Sequence, residues 1–367
     1  MTRLLPLLLL LGCSSAPETS KVVSNGLLGT WQEAGGPTVS LEVEQTYGRE
    51  DGTVEEMLEG PRRAAVDAVG NLYLHDGERL VAFSPEAEVL WTITAEGEGP
   101  GELRRVRGLF LGDDDLLWVT NQAGTRLDRF DLEGALVDTR PLSDLDMTWG
   151  AAHGLLPDGT VVLSSNRPGD YGNRIHLAED DTPLRTLDTL WVDQSSDEET
   201  PGAISVGSSM GVVREHVLLG LIQDYGYLAL DASLDTAFVT ARPDIPKRPP
   251  YGFLRNGNPA VIMLGSHFDP LALADGRWLG GGSWAVDVEN IADWAADLFS
   301  PDAPSIEYDR SLDLYDARGT LLYTWSDSDL DAAGIQTVLA SDGVDRIFVR
   351  TSDPVPTVAR LRLVISG

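Results

Sequence analysis

The sequence predicts an all-β chain folded as a six-bladed β-propeller, closed by an N-terminal strand in the last blade and carrying one short helical insertion in blade five. Three observations lead there. A strand-like run recurs six times behind turn residues, and a second run trails each of the first. The sixth unit is one strand short, while an unassigned alternating segment stands near the start of the chain.

The first run occupies residues 71–74, 115–118, 159–162, 216–219, 276–279 and 345–348. Its reference positions Leu72, Leu116, Thr160, Val217, Arg277 and Arg346 are separated by 44, 44, 57, 60 and 69 residues. Two equal steps near the length of a propeller blade mark a repeat architecture. The second run occupies 79–83, 126–130, 174–177, 227–230, 311–315 and 360–363. Asp131-Leu132-Glu133-Gly134 and Asp316-Ala317-Arg318-Gly319 place glycine where a tight hairpin needs φ > 0. A third run follows, as at 89–93 and 320–325, and another apolar stretch precedes each unit, as at 64–66 and 106–111. Four short antiparallel strands repeated radially make a propeller.

The last unit ends after its third run. Val39-Ser40-Leu41-Glu42-Val43-Glu44 alternates apolar and polar and belongs to no blade of its own, so it is expected beside residues 360–365. There it would act as an outer strand with one face in solvent, and it would remove an open edge. A two-domain β-sandwich protein is the alternative, but sandwiches need no equal repeats.

The chain has 367 residues, with 27 Lys and Arg against 58 Asp and Glu, a net charge of −31. Such a surface repels phosphate backbones, which excludes nucleic acid as a partner. Lys21 and Lys247 are the only lysines, so arginine carries nearly all the positive charge.

The N-terminus reads as an address. Met1-Thr2-Arg3 supplies one positive charge, and Leu4 to Leu11 is apolar except for Pro6. Eight residues are too few for a spanning helix, which needs about 20, but they suit the apolar region of an export signal. Leu10-Leu11-Gly12-Cys13 resembles the bacterial lipobox. That resemblance implies cleavage before Cys13, a diacylglyceryl group on its sulfur, and anchoring in an envelope membrane. Cys13 is the sole cysteine, so no intramolecular disulfide exists. The expected division is a signal over 1–12, a lipidated cysteine with a flexible tether over 13–37, and the propeller over 38–367.

Residues 67–74, then 79–83, then Gly97-Glu98-Gly99-Pro100-Gly101-Glu102 together resemble the bacterial six-bladed propeller lipoproteins of the NHL and TolB-like kind. In those proteins a Gly-x-Gly-Pro-Gly-Glu stretch follows the first blade. The likeness covers the first two blades best, and blades four to six depart from it with longer connections. It implies a fold and a location outside the cytoplasm, not an activity.

Motifs for catalysis are weak. Gly207-Ser208-Ser209-Met210-Gly211 fits the hydrolase Gly-x-Ser-x-Gly pattern, but strands flank it where a strand-to-helix elbow is needed. Small residues on an inner strand explain it better. Asp327-Ser328-Asp329-Leu330-Asp331 begins like a calcium loop, then has Ala332 and Val338 where Gly and Glu are required, so a solvated turn is expected. His75, His153, His176, His216 and His267 show no metal-ligand spacing. Some six-bladed relatives, the gluconolactonase-like lactonases and amidating lyases, hold Ca²⁺ or Zn²⁺ over the central channel. Asp67, Asn121, Asn166 and His153 could be fitted to such a scheme, though neither family's motif is present. Gly97 to Glu102 opens no helix and Pro100 lacks a donor, so it is not a phosphate cradle.

Two insertions remain. Residues 242–250 hold four prolines and read as a stiff connection between blades four and five. Within 285–309, Ile291, Trp294, Ala295, Leu298 and Phe299 recur at helical spacing and predict an amphipathic helix over about 288–299. These readings favour a lipid-anchored binding or scaffold module outside the cytoplasm, taking a protein or a small molecule. No catalytic, cofactor-binding or metal residue is assigned, and the cofactor is unknown. A metal-dependent hydrolase or lyase at the channel mouth is the alternative. Three or more convergent carboxylate, Asn or His side chains would mark the latter, and an apolar or merely acidic mouth the former.

Overall fold

A computed structural model describes residues 21–142, 148–166, 173–179, 182–189, 209–221, 225–246, 251–255, 258–262, 264–286, 306–351 and 354–367. It opens with strand β1 (Lys21–Ser24), helix α1 (Thr30–Glu33) and strand β2 (Thr38–Tyr47). Blade one is β3 (Pro61–Val66), β4 (Leu72–Asp76), β5 (Arg79–Phe83) and β6 (Val89–Ile93). Blade two is β7 (Gly108–Leu111), β8 (Leu117–Asn121), β9 (Arg126–Phe130) and β10 (Leu136–Pro141). Blade three is β11 (Thr148–Leu155), β12 (Val161–Asn166), β13 (Asn173–Glu179) and β14 (Thr182–Thr189). Blade four is β15 (Met210–Val213), β16 (His216–Gly220), β17 (Gly226–Leu230) and β18 (Thr236–Ala241).

A hairpin of β19 (Tyr251–Arg255) and β20 (Asn258–Ile262) occupies part of the connection that follows. Blade five is β21 (Gly265–His267), β22 (Leu271–Ala272), β23 (Trp278–Ala285), β24 (Tyr308–Tyr315) and β25 (Leu321–Ser326). Helix α2 (Asp327–Ala332) leads to blade six, made of β26 (Thr337–Ser341), β27 (Arg346–Thr351) and β28 (Thr357–Ser366). The helix expected over 288–299 lies outside the described residues.

The predicted closure is present. β2 pairs antiparallel with β28 as the outer strand of blade six, with Val39 opposite Ile365 and Val43 opposite Leu361. A bulge between Val43 and Gln45 moves the strand from one face of the blade to the other. Val39 therefore packs with Leu312, Leu314 and Leu361 between blades five and six. Tyr47 packs with Leu72, Phe83 and Phe348 between blades six and one. The price of the crossover is Val43, left 65% exposed.

Hydrophobic burial is the main force holding such a ring. Here it is divided into six clusters, one between each pair of neighbouring blades. Strands β4, β5 and β8 are buried at every residue, which is why their sequences read as apolar runs rather than as alternation.

Of the flexible tether expected over 13–37, residues 21–37 are instead ordered, and 13–20 lie outside the described residues. β1 adds parallel to β18 as a fifth strand on blade four. Asn25 donates to Gly319 O at 3.1 Å and accepts from Leu321 N at 2.8 Å. Gln32 of α1 donates to Thr324 O and accepts from Thr324 N, each at 3.0 Å. From Lys21 onward the segment is therefore a strap over the outer edges of blades four, five and six. The free edge of β18 and the backbone of β25 hold it, and neither leaves a mark in the sequence of the segment itself.

Candidate functional site

The innermost strands of the six blades surround a central cavity of about 430 Å³. Blade one contributes Arg62 and Arg63, and blade two Arg107. Blade three contributes Ala151, His153 and Ser164, and blade four Ser209. Blade five supplies His267, Phe268 and Asp269, and blade six Thr337, Leu339 and Arg350.

Local backbone features place these groups. The β3–β4 register slips between Pro61 and Arg63, and this bulge brings two consecutive arginines to the cavity where a regular strand would alternate them. At Gly108 a Cβ would stand 2.4 Å from Ala152 O, so only glycine lets β7 approach blade three this closely just after Arg107. At Gly220 a Cβ would meet Ser209 Oγ at 2.4 Å and His267 Cβ at 2.8 Å, so glycine there leaves room for both lining residues.

Arg63 spans the mouth. Its Nη1 donates to Asp269 Oδ2 at 3.3 Å, and its Nε donates to the carbonyl of Arg107 at 3.3 Å. Asp269 Oδ1 also accepts from Met210 N at 3.2 Å. On the blade-three side His153 Nε2 and Ser164 Oγ are 2.7 Å apart. Behind them His176 bridges Ser165 Oγ at 2.8 Å and Thr186 Oγ1 at 3.1 Å. His267 packs against Tyr225 and Tyr227 and accepts from Gly226 N at 3.3 Å. Ser209 Oγ, His267 Nδ1 and Arg350 Nε, in residues of this lining, are buried behind the cavity wall without a hydrogen-bond partner among the described residues.

The electrostatics are uneven. Burial lowers the pKa of both His153 and His267 to about 4, so neither is charged at neutral pH. Burial, followed by repulsion from Arg63, also lowers the pKa of Arg107. The described lining thus sets four arginines against one carboxylate, in a chain of net charge −31. Arg350, Arg62, Arg63 and Arg107 come from the consecutive blades six, one and two. The histidines, serines and Asp269 come from blades three, four and five.

Of the residues fitted to a metal scheme from sequence, Asp67, Asn121 and His153 do not meet. Asp67 closes the β3–β4 turn, accepting from Val69 N, Asn71 N, Asn71 Nδ2 and Tyr73 OH. Asn121 accepts from Arg104 N and donates to Glu102 O and Asp128, fastening the connection from blade one to blade two. Of these three His153 lines the cavity, and the side chain of Asn166 lies outside the described residues. Among the described residues no group of three or more His, Cys, Asp or Glu could hold a metal ion.

In the Gly-x-Ser-x-Gly stretch, Met210 and Gly211 begin β15 rather than a helix, and Ser209 stands at the cavity. The turn expected at Asp327 is instead helix α2, capped by Ser326 and bound through Asp327 and Asp331 to Arg310. Glu102 of the glycine-rich stretch accepts from Gly99 N at 2.7 Å, folding that loop on itself. Cys13 lies outside the described residues.

Sequence reasoning missed the arginines. Their signal was position: Arg62-Arg63 and Arg107 stand at the entry to an innermost strand, where the chain crosses the rim of the channel.

No family model matches the chain, and no curated protein matches it. Solved structures do. A presumed exported protein of Bacteroides fragilis superposes with a TM-score of 0.54 at 12% identity, covering 95% of this chain and 100% of its own. A DUF4221 member from Bacteroides vulgatus gives 0.48 at 10% identity over 90% and 99%. A virginiamycin B lyase from Staphylococcus aureus gives 0.46 at 12% identity over 89% and 100%. The first of these shows likeness of fold, and the chain is a six-bladed β-propeller.

Proposed function

We propose that this propeller is an extracytoplasmic binding module, held at a membrane by lipid on Cys13, that takes a small molecule into its central channel. The observation that carries the reading is the cavity of about 430 Å³, which all six blades line and whose wall carries arginine, histidine and serine side chains. The Gly12-Cys13 lipobox and the likeness to NHL and TolB-like lipoproteins support the location. Two acyl chains suffice for stable attachment.

The test is retention of metabolites. The full chain, extracted in detergent and immobilised, is exposed to a small-molecule extract, and retained compounds are identified by mass spectrometry. Ala151→Trp, which fills the cavity from blade three, should lose what the unmodified protein keeps. Equal retention by both proteins would end the channel reading.

A further inference from the structure

We infer that the channel ligand carries an oxyanion, a carboxylate or a phosphate, bound by the arc of Arg62, Arg63, Arg107 and Arg350, with an uncharged hydrogen-bonding part turned toward His153, Ser164 and Ser209. This rests on the channel-binding reading and gives its ligand a chemical class.

Four features of the mouth support it. The first is charge. A chain with 58 acidic residues concentrates four arginines on one cavity, with a single described carboxylate among the lining. Like charges crowded in a partly desolvated mouth repel one another, an arrangement that a bound anion relieves. The second is geometry. The guanidinium is a rigid planar fork matched to two-oxygen acceptors, and arginine is the residue that reads carboxylate or phosphate in a fixed orientation. The arginines come from three neighbouring blades and therefore converge on one side of the channel.

The third is an internal precedent. Asp269 reaches from blade five to Arg63 of blade one at 3.3 Å, so a carboxylate already sits against this arc from across the mouth. The fourth is the opposite wall. His153 and His267 are neutral, their pKa near 4, and Ser164 and Ser209 are uncharged. That half of the cavity, lined by neutral imidazoles and serines, suits hydroxyl, amide or carbonyl groups. The cavity is large enough for a small organic molecule, so a bare inorganic ion would leave most of it unfilled.

Isothermal titration of the full chain in detergent at low salt tests this with citrate and pyrophosphate as probes and sorbitol as a neutral control. At least one oxyanion should bind with one-to-one stoichiometry, citrate for a carboxylate reader and pyrophosphate for a phosphate reader. Arg107→Gln and Arg350→Gln should each weaken it about tenfold or more, the scale of one charge-assisted contact. Arg318→Gln, at an exposed turn of blade five, should leave it unchanged. Absence of binding by both anions, or equal loss in the Arg318 variant, would overturn the inference. Should the metabolite experiment instead yield an uncharged compound that Ala151→Trp releases, the oxyanion falls while channel binding stands. If no compound depends on Ala151, both fall.

Discussion

Arginines occupy two regions of this propeller, the corners of the blades and the mouth of the channel, and the two sets are used in opposite ways. At the corners Arg79 pairs with Asp76 at 2.9 Å, Arg126 with Asp128 at 3.0 Å and Arg242 with Asp313 at 3.0 Å. Each of these carboxylates is fully buried. Each guanidinium also donates to carbonyls of a connecting segment: Arg79 to Val54 O and Met57 O, Arg126 to Glu98 O and Glu102 O, Arg242 to Leu27 O in the strap. The carboxylates accept further bonds, Asp76 from the backbone of Glu59 and Gly60, and Asp313 from Thr324 and Tyr315. At the mouth the lining sets four arginines beside one described carboxylate, Asp269, which pairs with Arg63 at 3.3 Å. The lesson is that counter-charge and burial, not residue type, separate an arginine that fastens the fold from one available to a ligand.

The largest effect should follow from breaking a corner. Burial opposes the charge on Arg242, and the Asp313 carboxylate outweighs it, holding the guanidinium pKa above its usual value. Asp313→Ala takes the fully buried counter-charge from Arg242 at the junction of blade four, blade five and the strap, leaves Asp244 at 3.1 Å as its remaining carboxylate, and strips Thr324 and Tyr315 of their acceptor, a loss of about 3 kcal/mol. Urea denaturation of the full chain measures it. A loss below about 1 kcal/mol would mean that corner pairs are as dispensable as surface ones, and the contrast with the mouth would disappear.

The corners and the repeat were partly legible in the sequence, and the mouth was not. Spacing located the blades because every unit repeats the same buried second and third strands, as at Leu72–Asp76 and Arg79–Phe83. Asp131 and Asp316 marked hairpins because an aspartate that accepts two backbone N–H groups ahead of a positive-φ glycine is a local device, complete within five residues. β2 was legible through its alternation. β1 was not, because a parallel strand of four residues depends on the edge of β18, more than 200 residues away. The channel arginines escaped for the same reason. Arg63, Arg107 and Arg350 are neighbours only once the ring closes, and a count of negative charge over the whole chain hides them.

A middle-sized effect should come with pH. His75 lies on β4 opposite Arg63 and is buried. Burial, then Arg62 and Arg63, lower its pKa to about 4. The unfolded chain takes up a proton near pH 6.5 that the folded one refuses, so stability is complete above that value, falls as pH drops toward 4, and levels below it. The loss attributable to His75 reaches about 3 kcal/mol, and His75→Phe should remove that share of the pH dependence of the denaturation midpoint, leaving the shares of His153 and His267. Arg62→Gln together with Arg63→Gln should raise the His75 pKa, read from its imidazole NMR signal. No movement of that signal would mean that the mouth's positive field does not extend behind the first strand.

The smallest effect on stability should come from the mouth itself. Arg63 and Asp269 form an ion pair with side chains 44% and 35% exposed, and exposed pairs contribute between about 0 and 1 kcal/mol. Asp269 keeps its bond from Met210 N when Arg63 is lost, so no buried charge is stranded. Arg63→Gln should therefore shift the urea midpoint by less than about 1 kcal/mol while weakening oxyanion binding. That pairing of outcomes is what a corner arginine cannot give, since removing Arg126 would strand Asp128 inside blade two. If Arg63→Gln instead costs as much stability as Asp313→Ala, the mouth arginines are fasteners too, and their convergence owes nothing to a ligand.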